Sequence, residues 1–137
     1  MLYGALTHLT ALTVRKRDFV SVAERLKDVP YLWGGRSHLG LDCSALVQLC
    51  LADAGVAAPR DSDLQRDVLG INIGADAIHA LTRGDLIFWN KHVAIVLDDK
   101  RIIHANAAAM AVSMHDAALF ARMVEATNGP IMAIRRF

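Results

Sequence analysis

The chain has 137 residues, of which 54% are hydrophobic and 21% are charged, and its formal net charge is +1. These values predict one folded domain with a single core, because a chain of this length buries roughly two-thirds of the surface that it exposes when unfolded. The near-neutral charge excludes a broad electrostatic surface for nucleic acid or an anionic membrane. No apolar run approaches the roughly 20 residues that cross a bilayer.

The first segment, residues 1–13, is apolar, rich in threonine and weakly alternating, which is typical of a strand or an extended linker. It has no charged start followed by an apolar centre and a small-residue cleavage site, so we expect no signal peptide. Residues 15–28 place apolar side chains at helical spacing between charges. This pattern predicts an amphipathic helix that ends before Pro30.

Two glycine-containing turns lead to Cys43: Tyr-Leu-Trp-Gly-Gly at residues 31–35, and Gly-Leu-Asp at residues 40–42. Apolar residues recur at helical spacing over residues 43–54, so we expect Cys43 in the first turn of a helix. Unpaired N–H groups and the helix dipole stabilise a thiolate there, and they can lower the pKa of a cysteine from about 8.5. Cys43 is therefore the candidate nucleophile.

The second cysteine, Cys50, lies two turns further along the same predicted helix. A rise of 1.5 Å per residue separates the two Cα atoms by about 10 Å, which is too far for a disulfide. Two free thiols fit a reducing compartment.

The rest of the chain changes from helical to strand patterns. A turn at residues 59–62 precedes a short predicted helix at 63–69, and residues 71–83 are predicted as a loop with one helical turn. Short apolar segments separated by turn residues then predict an antiparallel meander at 86–89, 92–97 and 102–105.

The C-terminal part adds a predicted strand at 110–114, a surface helix at 116–126 capped at Ser113 or Asp116, and a closing strand at 131–137. Helices come first and strands follow, so the fold class is α+β. We expect N-terminal helices packed on an antiparallel sheet of about five to six strands.

Two of the six histidines are brought together by the meander. His92 opens one strand and His104 ends the next. They share a face only if the connecting loop has an odd number of residues, for instance about three centred on Asp98, and they are then cross-strand neighbours. If that face packs against the start of the Cys43 helix, one histidine can take the thiol proton while the other orients its ring.

Other interpretations of these residues are open on the sequence pattern. A free cysteine is most often a small buried hydrophobe, and each histidine could be a half-exposed strand residue. A metal site from Cys43, His92 and His104 lacks a second cysteine or carboxylate at ligand spacing. The remaining histidines have no partner in the pattern and are predicted to be solvated: His8, His38, His79 and His115.

From residue 19 to residue 137 the chain resembles the NlpC/P60 family of cell-wall cysteine peptidases, which have a rearranged papain-like fold. Several blocks carry the resemblance in the family's order: Pro-Tyr-Leu-Trp-Gly-Gly at 30–35, Asp-Cys-Ser at 42–44, Pro-Arg-Asp-Ser at 59–62, Arg-Gly-Asp-Leu-Ile-Phe-Trp at 83–89, His-Val-Ala-Ile at 92–95 and Ile-His-Ala at 103–105. It implies a peptidase domain at residues 14–137.

The resemblance implies Cys43 as nucleophile, His92 as general base and acid, and His104 as the polar residue that holds the His92 ring. It also implies a substrate-binding set, with Asp42 meeting a positively charged amine and the Cys43 N–H helping to stabilise an oxyanion. The members of that set are Asp42, Ser44, Tyr31, Trp33, Asp61 and Ser62. No metal or organic cofactor is implied.

Family members typically hydrolyse the amide between γ-D-glutamate and a diamino acid, meso-diaminopimelate or lysine, in peptidoglycan stem peptides. Residues 1–13 weakly resemble the end of an upstream bacterial SH3-like domain, which implies a protein that recycles released peptides. We therefore expect a peptidoglycan-derived peptide as partner, no nucleic acid or membrane partner, and a cytoplasmic location.

Two positions depart from the family pattern, because Ala45 and Ala94 stand where glycine is usual. Neither change removes a catalytic group, and alanine is the better helix former at position 45. Some relatives of the family are amidases or acyltransferases. An acyltransferase would need a wide apolar groove without an anchor for a charged amine, so Asp42 argues against that chemistry. A further alternative is a non-catalytic wall-binding module. The candidate nucleophile argues against it, because a binding module needs no nucleophile.

Overall fold

The structure is a computed structural model that describes residues 18–37 and 39–137. The predicted strand or linker at residues 1–13 lies outside these residues. The described helices are α1 (Phe19–Arg25), α2 (Cys43–Asp53), α3 (Ser62–Val68) and α4 (Ala117–Asn128), with a 3₁₀ helix at Ala75–His79. The strands are β1 (Arg36–Ser37), β2 (Gly40–Leu41), β3 (Ile71–Asn72), β4 (Leu86–Trp89), β5 (His92–Val96), β6 (Arg101–Asn106), β7 (Ala111–Asp116) and β8 (Ala133–Arg136).

The main sheet has six strands in the order β3-β8-β4-β5-β6-β7, and every pairing is antiparallel. Strands β4 to β6 form the predicted meander, and β7, predicted as a separate strand, continues it as the next neighbour. The closing strand β8 returns to pair with β4 and is flanked by the short strand β3. The α+β class and the six-stranded antiparallel sheet are confirmed.

Helices cover both faces of this sheet because side chains alternate along each strand. Val93, Ile95 and Ile103 point to one face and form a core with α1 and α2. Ala94, Val96 and Ile102 point to the other face and pack with Phe120 of α4. The meander strands are therefore buried on both faces.

Local signals explain the helix ends. Asp42 has an extended backbone, and its side chain accepts the N–H of Ala45, which makes it the N-cap of α2. Asp116 caps α4 in the same way through the N–H of Leu119, so Asp116 is the cap and Ser113 is not. Strand β7 runs to Asp116, two residues beyond the predicted end at residue 114.

The turn at residues 31–35 is held on the small hairpin of β1 and β2. Leu32 N–H donates to the carbonyl of Leu41 at 3.1 Å, and Asp42 N–H donates to the carbonyl of Gly35 at 3.2 Å. A Cβ on Gly35 would collide with the carbonyl group of Gly40. Glycine at position 35 thus lets the two segments approach closely enough to set the start of α2.

No helix in the part of the chain that the structure describes is long and apolar enough to cross a membrane. The helical turn predicted within residues 71–83 is present as the 3₁₀ helix Ala75–His79, whereas the short strand β3 was not predicted.

Substitution of the two adjacent glycines is expected to have unequal effects. Gly35→Ala should lower the free energy of unfolding by about 3 kcal/mol, because the new methyl meets backbone atoms that cannot rotate away. Gly34→Ala is the matched control: its φ is +73° but the space around it is empty, so only the backbone strain of about 1 kcal/mol applies. Urea denaturation measures both, and equal small losses would show that the close approach is not rigid.

Candidate active site

Cys43 lies at the start of α2, beside the turn that joins β4 to β5. Its side chain is buried, and Sγ lies 4.0 Å from the carbonyl oxygen of Lys91. Lys91 has a φ of +61° and forms with Asn90 the two-residue turn before His92. The nucleophile candidate is therefore placed at the start of strand β5, where the backbone of residues 91–93 passes the helix N-terminus.

His92 and His104 are in direct contact. His92 Nε2 and His104 Nδ1 lie 2.6 Å apart, and the two rings meet edge to face with centroids at 4.9 Å. The contact with His104 uses Nε2 of His92. Nδ1 of His92 is therefore the nitrogen that remains to accept the thiol proton. His104 is completely buried behind His92.

The connection between β5 and β6 has three residues, 98–100, because Leu97 N–H donates to the carbonyl of Arg101 at 2.8 Å. The predicted odd loop length is confirmed, but its centre is Asp99 and not Asp98. Ile95 accordingly pairs with Ile103. This shift of register makes His92 and His104 diagonal neighbours, which do not lie directly opposite each other.

The histidines lie on the sheet face that α4 covers, whereas the Cys43 helix packs on the opposite face. The ring of Phe120 lies 5.7 Å from that of His92 and 4.5 Å from that of His104. The condition that the sequence pattern left open, packing of the histidine face on the Cys43 helix, is therefore not met. Cys43 and His92 instead line the same cleft beside the start of strand β5, where Cys43 Sγ lies 4.0 Å from the carbonyl oxygen of Lys91.

Burial controls the protonation of the site. It raises the pKa of the Cys43 thiol, and the nearby Asp42 carboxylate acts in the same direction, while the N–H of Val93 opposes both. Burial also lowers the pKa of His92 to about 4. The sequence predicted a lowered pKa for Cys43 from its helix position, and this is wrong because desolvation outweighs the N-terminal N–H groups. The resting pair is a neutral thiol and a neutral imidazole.

For His104, burial lowers the pKa to about 2, with charges on His92 and His115 acting in the same direction. His115 Nδ1 lies 2.9 Å from His104 Nε2. The prediction that His115 is solvated is wrong, because strand β7 extends far enough to set it diagonally across from His104. His79 is exposed, as predicted, and His8 and His38 lie outside the described residues.

Asp42 is fully engaged in this structure. Its Oδ2 accepts from Arg60 Nη2 at 2.8 Å and from the N–H of Gly34 at 3.2 Å, while Oδ1 accepts from Arg60 Nη1 and from Ala45 N–H, both at 2.9 Å. Burial alone would raise the pKa of Asp42, but the Arg60 hydrogen bond and the two N–H groups lower it overall. Arg60 also donates to Ser44 Oγ at 2.9 Å.

An open cleft of about 890 Å³ runs past Cys43 and His92. All six residues of the substrate-binding set line it: Tyr31, Trp33, Asp42, Ser44, Asp61 and Ser62. Trp33 is 84% exposed at its rim. The cleft is lined by cationic side chains, including Lys91 and Arg36, as well as by carboxylates, so it suits a ligand that carries both signs of charge.

Arg60, His115 and Phe120 were not placed in the site by the sequence pattern. Arg60 belongs to the 59–62 block, and its position directly before Asp61 and Ser62 of the substrate-binding set could have predicted that it lies in the site. A contact of His115 with the site could have been predicted if strand β7 had been expected to extend beyond residue 114. Across residues 18–37 and 39–137, no group of three or more His, Cys, Asp or Glu side chains is arranged to hold a metal ion.

A buried thiol beside a histidine held by a second histidine is an arrangement for acyl transfer through a thioester. The NlpC/P60 family model matches residues 28–127, and the chain therefore belongs to the NlpC/P60 family. The papain-like fold expected from the sequence is confirmed by this match and by solved structures of the family.

Two curated relatives have peptidase names. Dipeptidyl-peptidase 6 of Lysinibacillus sphaericus is 37% identical over 91 residues, which cover 66% of this chain and 32% of the relative. The γ-D-glutamyl-L-lysine dipeptidyl-peptidase of Bacillus cereus is 30% identical over 105 residues, covering 71% of this chain and 30% of the relative. The chain thus spans about a third of the length of these relatives.

Solved structures agree with the fold. An NlpC/P60 family protein from Bacillus cereus superposes with a TM-score of 0.70 at 26% identity, covering 88% of this chain and 39% of that one. The peptidoglycan hydrolase RipB from Mycobacterium tuberculosis gives a TM-score of 0.72 at 25% identity, covering 93% and 65%.

Alkylation of Cys43 is expected to reveal its raised pKa. Iodoacetamide should react slowly at neutral pH, and the rate should still be rising with pH above the ordinary cysteine pKa of about 8.5, because only the thiolate attacks. Mass spectrometry of the Cys50→Ala variant isolates the signal from Cys43. Cys50 itself, whose pKa burial raises to about 12, should stay unmodified in the Cys43→Ala variant. A rate plateau below about pH 7 would instead indicate a thiolate–imidazolium pair.

Proposed function

We propose that this chain is a cysteine endopeptidase that hydrolyses the amide between γ-D-glutamate and a diamino acid in peptidoglycan stem peptides. The single observation that carries the proposal is the placement of Cys43 and His92 on one cleft, with His92 Nε2 bonded to buried His104. Membership of the NlpC/P60 family supports the reaction class. The name of the Bacillus cereus relative supports the γ-D-glutamyl bond.

The reaction begins with a neutral thiol. His92 takes the Cys43 proton at Nδ1 as Sγ attacks the γ-carbonyl carbon, and the carbonyl π electrons move to oxygen to give a tetrahedral oxyanion. The backbone N–H of Cys43, at the N-terminus of α2, is the proposed donor to that oxyanion. Proton transfer coupled to attack is required because burial disfavours both the free thiolate and the imidazolium.

Collapse of the oxyanion breaks the C–N bond. His92 returns the proton to the leaving amine of the diamino acid, and Sγ keeps the γ-D-glutamyl group as a thioester. Water then attacks the thioester carbon while His92 accepts its proton, and the thiol leaves with that proton. The carboxylic acid and the amine are the two products, and Cys43 is restored.

The mixed charge of the cleft supports a peptide that carries an amine and several carboxylates. Asp61 and Ser62 line the cleft together with the basic side chains of Arg36 and Lys91, and Trp33 offers an exposed apolar surface. Asp42 is already paired with Arg60, so an incoming ammonium group would share the carboxylate with that guanidinium. Trimming of released peptides in the cytoplasm is part of this proposal, as is an upstream SH3-like domain in a longer protein.

The peptide L-Ala-γ-D-Glu-meso-diaminopimelate tests the function directly. We expect release of L-Ala-D-Glu, detected by mass spectrometry, and its loss in the Cys43→Ala variant. The same peptide with a blocked N-terminus should resist cleavage if the chain is of the recycling type. Cleavage of both forms would overturn the recycling role, and cleavage of neither by this chain or by a longer native form would overturn the peptidase.

Substitution of the two site histidines should separate their roles. His92→Gln removes the base and should lower kcat by about 10³-fold or more, whereas His104→Gln keeps a hydrogen-bonding partner for His92 and should lower kcat by only about 10- to 100-fold. KM should change little in both variants because neither ring is proposed to bind substrate. Steady-state kinetics with the same peptide measure this, and a larger loss at His104 would reverse the assignment.

A further inference from the structure

Three imidazole rings form a continuous hydrogen-bonded row in this site. His92 Nε2 lies 2.6 Å from His104 Nδ1, and His104 Nε2 lies 2.9 Å from His115 Nδ1. All three rings pack around Phe120, with centroid distances of 5.7, 4.5 and 5.6 Å for His92, His104 and His115. The row begins at the cleft and ends on β7, an edge strand of the sheet.

Each of these hydrogen bonds needs one N–H and one lone pair, so the three tautomers depend on one another. In one polarity, His92 Nε2–H donates to His104 Nδ1 and His104 Nε2–H donates to His115 Nδ1. In the opposite polarity, His115 donates to His104, His104 donates to His92, and His92 carries its own proton on Nδ1.

Only the first polarity is compatible with the proposed reaction. A His92 protonated on Nδ1 has no lone pair for the Cys43 proton. Once His92 has taken that proton, both of its nitrogens carry hydrogen, and His104 Nδ1 at 2.6 Å must then be an acceptor. His104 must therefore hold its own proton on Nε2, which requires an acceptor at the far side of its ring.

We propose that His115 is a positioning residue whose Nδ1 accepts the Nε2 proton of His104 and thereby keeps Nδ1 of His92 unprotonated. This inference rests on the proposed function of His92 as base. His115 does not line the cleft and is not proposed to touch substrate. Its effect reaches the thiol through two hydrogen bonds.

Burial makes the far acceptor consequential. His104 is completely buried, so an Nε2–H without a partner there would lose its hydrogen bond to water as well. Without His115, the His104 proton shifts to Nδ1 and reverses the row. His115 is partly exposed, so water can accept the proton on its outer nitrogen and complete the first polarity.

Two substitutions separate the acceptor from the shape of the ring. His115→Phe keeps a flat ring against Phe120 but cannot accept a hydrogen bond. His115→Gln loses the ring but offers a carbonyl oxygen to His104 Nε2. His79→Phe, on the exposed 3₁₀ helix, is the control for a surface histidine change.

Steady-state kinetics with L-Ala-γ-D-Glu-meso-diaminopimelate should show kcat reduced about tenfold or more in His115→Phe, with KM unchanged, because a buried unpaired N–H destabilises the productive tautomer. His115→Gln should recover most of kcat. The reverse order, with His115→Phe active and His115→Gln impaired, would show that the ring only packs and would overturn the proposal.

Tautomers can be read without substrate by long-range ¹⁵N–¹H correlation spectra of histidine-labelled protein. In the unsubstituted chain, His92 and His104 should both carry hydrogen on Nε2, and His115→Phe should shift both toward Nδ1–H. Unchanged spectra in that variant, or Nδ1–H on His92 in the unsubstituted chain, would overturn the proposal. This readout needs no turnover, so it tests the role of His115 even if the peptide is not cleaved. The spectrum of the unsubstituted chain tests the tautomers on which the proposal depends even if the variants do not fold.

Discussion

The Asp42 carboxylate ties together the three segments that meet at the candidate nucleophile. It caps α2 through Ala45 N–H, holds the 31–35 turn through Gly34 N–H, and forms a two-pronged ion pair with Arg60 from the loop before α3. A charged group that is largely buried needs this many donors to offset its desolvation. The position of Cys43, the next residue along the chain, is set by this junction.

The same burial that makes the junction necessary determines the protonation of the site. Cys43 gains N–H neighbours at the helix start but loses water, and the loss of water dominates its pKa. His92 loses its charge for the same reason. The resting thiol and imidazole are therefore both neutral, although the neighbouring Asp42 and Arg60 are charged.

The sheet separates the two halves of the site. The helix that carries Cys43 packs on one face and the histidine row packs with Phe120 on the other, and Cys43 and His92 line one cleft beside the start of β5. The tight turn at Asn90 and Lys91 is what brings the sheet to an end at this point. Helices on both faces bury the meander, since residues 86–89, 93–96 and 102–105 are all buried.

Much of this architecture follows from short-range patterns. The glycine-containing turns before Cys43, the apolar run after it and the short apolar segments of β4 to β6 each involve residues a few positions apart, and they placed Cys43 at a helix start and His92 beside His104. The blocks at 30–35, 42–44 and 83–95 were enough to indicate the NlpC/P60 family, which the match over residues 28–127 confirms. The roles of the individual site residues stay predictions.

Other features depend on contacts between segments that are distant in sequence. The loop centre at Asp99, the sheet face that α2 covers, the Arg60 partner of Asp42 and the contact of His115 with His104 all arise from register and packing across the sheet. A pKa depends on the solvent that is excluded, so the dipole argument for Cys43 failed once tertiary packing buried the thiol. The sequence by itself determined which chemical groups stand at the ends of which elements, because those signals are local. The tertiary structure alone decided which of those groups touch and how they are charged, because both follow from burial among residues far apart in the chain.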